Sequence, residues 1–117
     1  MENIIVTKSY EFAVKIVKLY KNITNSFHEY VLSKQILKSG TSIGANICEA
    51  IRAQSRADFA AKMSISLKEA SETEYWLKLL HRTEYISTQR FEELKEECTE
   101  LLKMLTVIVR KTNTKYR

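Results

Sequence analysis

Proline is absent from the 117 residues and glycine occurs only twice, at Gly40 and Gly44. Sheets and long loops draw on both residues for turns and bulges, so their scarcity leaves helix as the dominant element. No run of about 18 apolar residues exists, which excludes a membrane-spanning helix, and the opening MENIIVTKSYEF lacks the basic, apolar and small-residue order of a signal peptide. A cytoplasmic location is therefore expected. Only two cysteines occur, Cys48 and Cys98, far apart and outside any CxxC spacing. In a reducing compartment that pattern predicts two free, buried thiols rather than a disulfide or a zinc site.

The residues that are present suit one compact domain spanning 1–117. Its hydrophobic fraction of 44% and charged fraction of 28% favour folding over disorder. The formal net charge is +5, and it is uneven. Residues 1–57 hold eight basic residues against four acids, whereas residues 58–117 hold eleven against ten. An anionic partner for the first half is the natural implication.

Apolar residues recur at alternating spacings of three and four in four segments, the signature of amphipathic helices. From about Ser9 to Thr24 the stripe is Phe12, Ile16, Leu19 and Ile23. A polar connection over Asn22 to Glu29 leads to a second stripe of Leu32, Ile36, Ile43, Ile47 and Ala50. Gly40 and Gly44 face the same inner half. They fit either close approach of a neighbouring backbone or a local kink. Ser55 with Asp58 forms a capping-box-like start to a third helix, striped by Phe59, Met63, Ser66, Ala70, Thr73, Leu77 and Leu80. Ser87 is the candidate cap of a fourth, striped by Phe91, Leu94, Cys98, Leu101, Leu105 and Ile108, ending near Lys111 before a frayed tail TNTKYR. Four such helices joined by short links predict an all-α, antiparallel up-down-up-down four-helix bundle.

No catalytic constellation emerges. Neither His28 nor His81 is preceded by glutamate at the spacing of a di-metal bundle site, and Glu49 and Glu74 read as solvated or capped carboxylates. GxSxG, GxxxxGK[ST] and GxGxxG motifs are missing. Both cysteines fall on apolar faces away from an activating base. The expectation is a protein that is not an enzyme and has no cofactor and no metal.

Two surface features remain. Lys15, Lys18 and Lys21 of helix 1 with Lys34, Lys38 and Arg52 of helix 2 form an outer basic face suited to the phosphates of RNA or DNA. No aromatic residue is interleaved with these lysines, which argues against stacking readout of single strands. On helix 3, Ala61, Ile65, Trp76 and Leu79 fall within about 60° of one another, away from the core stripe. This second apolar face predicts an oligomer interface at Ile65, Trp76 and Leu79, with Glu69 and Glu72 beside it. The alternative function is therefore an oligomeric protein–protein interaction scaffold without nucleic-acid binding.

The run SGTSIGANICEA (Ser39–Ala50), Arg56, Asp58 and Phe59, the stretch SISLKEASETEYWL (Ser64–Leu77) and Tyr85, Ile86 and Ser87 resemble the four-helix-bundle family encoded within intervening sequences of bacterial 23S rRNA genes. The resemblance extends from helix 1 to helix 4. It implies a bacterial, non-enzymatic protein of the kind sometimes described as ribosomal from gene location. The family is also similar to the accessory variability protein of diversity-generating retroelements, a basic pentameric bundle that binds nucleic acid and a reverse transcriptase. A homo-pentamer and a nucleic-acid or protein partner are thus implied by the resemblance. Many relatives carry proline where this chain has Gly44, so their break in helix 2 does not transfer directly.

Overall fold

The computed structural model describes residues 3–115 as four helices: α1 (Ile4–Phe27), α2 (Leu32–Ile51), α3 (Arg56–Arg82) and α4 (Thr88–Lys115). Sequential neighbours pack together and α1 closes against α4, giving an antiparallel bundle with extents of 47 × 26 × 20 Å. No strand occurs among the described residues.

The stripes meet in one core. Phe12, Ile16, Leu19 and Ile23 of α1 are sealed from water, as are Ile36, Ile43 and Ile47 of α2, Met63, Leu77 and Leu80 of α3, and Leu94, Cys98, Leu101 and Leu105 of α4. Leu32, Phe59 and Ile108, read as inward, lie at the core's edge and are partly buried. Small polar residues let α2 and α3 approach closely. Ser66 donates its hydroxyl to the Ile43 carbonyl at 2.8 Å, and the Thr73 and Ser39 hydroxyls lie 2.9 Å apart. Satisfying these groups matters because a buried polar atom without a partner is costly.

Helix α2 runs unbroken through both glycines. A Cβ on Gly40 would stand 2.8 Å from Ile16 Cγ2, and one on Gly44 would stand 3.2 Å from Ser9 Oγ. Close approach of α1, not a kink, is the role of these positions; any side chain at Gly40 would collide with the rigid, β-branched stem of Ile16.

Helix ends differ from the expectation. Asn3 caps α1 by accepting from the Ile5 N–H at 3.2 Å, so the helix begins at Ile4, five residues before the Ser9 start read from the periodicity. The helix continues past Thr24 to Phe27 and stops where His28 turns left-handed, at φ 54°. Ser55 and Ser87 cap as the sequence indicates, accepting from the N–H groups of Asp58 and Arg90. Helix α4 runs four residues beyond Lys111; Tyr116 and Arg117 of the tail lie outside the described residues.

Glu29 supplies a cap that periodicity does not reveal. Its carboxylate accepts from the N–H groups of Val31, Leu32 and Ser33 at 3.0, 2.9 and 2.8 Å. Partial burial alone would raise its pKa, but these donors outweigh burial and hold it below the ordinary carboxylate value. The stabilisation follows from that sign: present above the unfolded-state pKa, it is lost as acid protonates the cap.

Candidate nucleic-acid interface

The tight contacts of Gly40 with Ile16 and of Gly44 with Ser9 fix the antiparallel register of α1 and α2. That register sets the stretch of α1 holding Lys18 and Lys21 beside the stretch of α2 holding Lys34 and Lys38. All four lysines are exposed, and none has a carboxylate within ion-pair distance among the described residues. Lys38 feels Glu69 of α3 through space only. Glu29, the acid nearest in sequence, has its charge taken up by the N-terminus of α2. The result is four exposed lysines spread over the outer sides of α1 and α2, none engaged in an ion pair among the described residues.

Two of the six sequence-chosen basic residues stand apart from this cluster. Lys15 lies 100° round the helix from Ile16, on the α4 side. Its Nζ donates to Glu97 at 2.6 Å and to Glu93 at 3.2 Å. These two hydrogen bonds, Glu97's first, raise the lysine's pKa above its ordinary value despite slight desolvation. With Lys8–Glu100 at 3.0 Å, the pairs form a seam between α1 and α4. Arg52 is exposed but caps the far end of α2, about 21 Å along the helix from Lys38.

The outer face of α4 has the opposite character. A broad depression of about 580 Å³ is lined by Glu92, Glu96, Glu97 and Glu100 with Lys95 and Lys103, a surface that repels phosphate. Charge is thus unevenly spread, with an excess of lysines on α1 and α2 and a cluster of acids confined to the stretch Glu92–Glu100 of α4.

On α3, Ile65 is 41% exposed, and Tyr75, about 15 Å further along the helix, is 60% exposed. Leu79 is half-buried. Trp76 was expected to point outward; it is half-buried and packs against the core, its ring edge-on to Tyr75 at 5.0 Å. The reason is angular. Thr73 and Leu80, three residues before and four after it, are both fully buried, so Trp76 rides the rim of the core stripe.

The two thiols part company. Cys98 donates to the Ala70 carbonyl at 3.4 Å, and burial, reinforced by the charge of Glu74, pushes its pKa up to about 12. Cys48, expected to be buried, is exposed because it follows the inward Ile47 by 100°. Among the described residues no group of three or more His, Cys, Asp or Glu is placed to hold a metal ion, and no helix is long and apolar enough to cross a membrane.

Sequence reading passed over the aromatic residues near the lysines. Phe27 and Tyr30 are about half-exposed where α1 passes into α2, and they lie in sequence between Lys21 and Lys34, lysines read above as having no aromatic interleaved. The connector has no periodicity, and so nothing to show which way its rings face. The only available signal was the clustering of Phe27, His28 and Tyr30 just ahead of Lys34.

Comparison with known proteins adds a lineage. The family model for the 23S rRNA-intervening sequence protein matches residues 1–107. A crystal structure of a protein of unknown function from the S23 ribosomal protein family of Bacteroides thetaiotaomicron is 59% identical. The alignment covers 90% of this chain and 97% of that one, with a TM-score of 0.88. No curated protein matches the chain.

Proposed function

Since the chain belongs to the 23S rRNA-intervening sequence protein family, we propose that it is a non-enzymatic cytoplasmic accessory protein that binds RNA or DNA through the α1–α2 face. The observation carrying this reading is the group of four exposed lysines, Lys18, Lys21, Lys34 and Lys38, without an acidic partner among the described residues and held on two helices locked together at Gly40. Contacts of this kind address phosphates and carry no base information. Absence of a catalytic role fits an unreactive Cys98 and a His81 ring stacked flat on Phe91 at 4.2 Å. Two free thiols suit a reducing compartment.

The test is a binding titration across salt concentrations. Engagement of four phosphates predicts a log–log slope of about −3 on single strands and about −3.6 on duplex DNA. A flat salt response, or no binding at about 50 mM salt, where phosphate contacts are strong, overturns the reading.

A second reading, self-association into a homo-oligomer serving as a scaffold, is favoured by the outer face of α3. Ile65 and Tyr75 leave apolar surface in water that a second copy would cover, each Å² contributing about 25 cal/mol. Ile65→Glu should reduce the sedimenting mass of the protein while leaving its helical spectrum intact. Wild-type protein that sediments as a 13.6 kDa monomer at micromolar concentration removes this reading.

A further inference from the structure

The end of the bundle that carries the α1–α2 connector displays aromatic surface on a stiff frame. Phe27 is 49% exposed and Tyr30 54%. His28 closes α1 by donating its N–H to the Thr24 carbonyl at 3.1 Å, and Glu29 locks the start of α2 through three N–H donors. The Tyr30 hydroxyl lies 3.3 Å from His28 Nδ1. Phe27 meets Tyr85 of the α3–α4 connector edge-on at 5.2 Å, so both connectors form one surface. A cleft of about 530 Å³ opens between them, lined among others by Phe27, His81, Tyr85, Thr88 and Arg90, with Glu84 as its one carboxylate.

Charge surrounds these rings. Lys21 lies within the last two turns of α1 and Lys34 within the first turn of α2, so both cations stand within about 10 Å of the connector along their helices. Exposed aromatic rings near Lys21 and Lys34, which have no ion-pair partner among the described residues, fit a chain of planar rings joined by anions. Duplexes hide their base faces in their own stack, whereas unpaired bases present them.

We infer that this end of the bundle binds single-stranded nucleic acid, with unpaired bases stacking on Phe27 and Tyr30 while adjoining phosphates rest on Lys21, Lys34 and Arg90. The inference rests on the nucleic-acid reading above and narrows its ligand to single strands.

Fluorescence anisotropy at about 50 mM salt, with a labelled unstructured oligonucleotide of roughly a dozen nucleotides and the matching duplex, separates the two ideas. Wild-type protein should bind the single strand more tightly than the duplex. Tyr30→Ala should weaken single-strand binding about tenfold or more while leaving duplex binding within twofold, and Tyr30→Phe should restore it, because stacking needs the ring and not the hydroxyl. Phe27→Ala should act in the same direction, with a thermal melt confirming that the loss of its contact with Tyr85 leaves the bundle folded. Duplex binding equal to single-strand binding, or Tyr30→Ala and Phe27→Ala variants within twofold of wild type, overturns the inference and leaves the basic-face reading standing. Failure to bind either form overturns both.

Discussion

Replacing Lys18, Lys21 and Lys34 together with glutamate should lower affinity for RNA or DNA by about three to four orders of magnitude at low salt. A lysine beside an anionic surface contributes on the order of 1 kcal/mol, and reversal adds a repulsion of similar size. Three reversals therefore sum to roughly 4 to 6 kcal/mol, at about 1.4 kcal/mol per decade. Nothing offsets the change locally, because none of the three lysines has an acidic partner among the described residues. The fold should survive. All three side chains are exposed, and surface substitutions of this kind usually stay within about 0.5 kcal/mol each. Anisotropy titrations read the outcome, and a triple variant that binds as well as wild type would mean the α1–α2 face is merely a solvated surface.

The largest effect on stability should come from Leu101→Ala, which removes about 2 to 5 kcal/mol. Leu101 is 1% exposed in the middle of the most regular stripe of the chain, with Cys98 and Leu105 sealed on either side of it. Helices that close a ring cannot collapse onto a vacancy without moving their neighbours, so the lost contacts are compounded by a cavity. For a domain of this size the melting temperature should fall by roughly 10 to 20 °C. Val107→Ala is the matched control on the same helix, since Val107 is 48% exposed and should change little. A Leu101→Ala melt within about 2 °C of wild type would contradict the packing described here.

What could be read from the sequence was whatever repeats along one helix. The stripe Phe12, Ile16, Leu19, Ile23 states its own burial through its spacing, and the same holds for Leu94, Cys98, Leu101 and Leu105. Serine caps were legible for a related reason: Ser55 and Ser87 act on N–H groups three residues away. Properties that depend on which neighbour occupies each flank were not legible. Lys15 lies on the polar side of its own helix, yet only the position of α4 decides that it meets Glu93 and Glu97 instead of solvent. Gly40 was compatible with a kink until Ile16 was seen against it. Cys48 looked apolar by its neighbours in sequence and proves exposed by its neighbours in space.

The contrast between the two thiols also equips the molecule for measurement. With Cys98 sealed in the core and its pKa near 12, a thiol-directed dye in native conditions should attach at Cys48 alone, without mutagenesis. Cys48 lies 14 residues after Lys34 on the same unbroken helix, about 21 Å along its axis. A donor fluorophore there sits outside the connector end yet within energy-transfer range of it. An acceptor placed at one terminus of a bound strand and then at the other would report the direction in which the strand lies across the bundle.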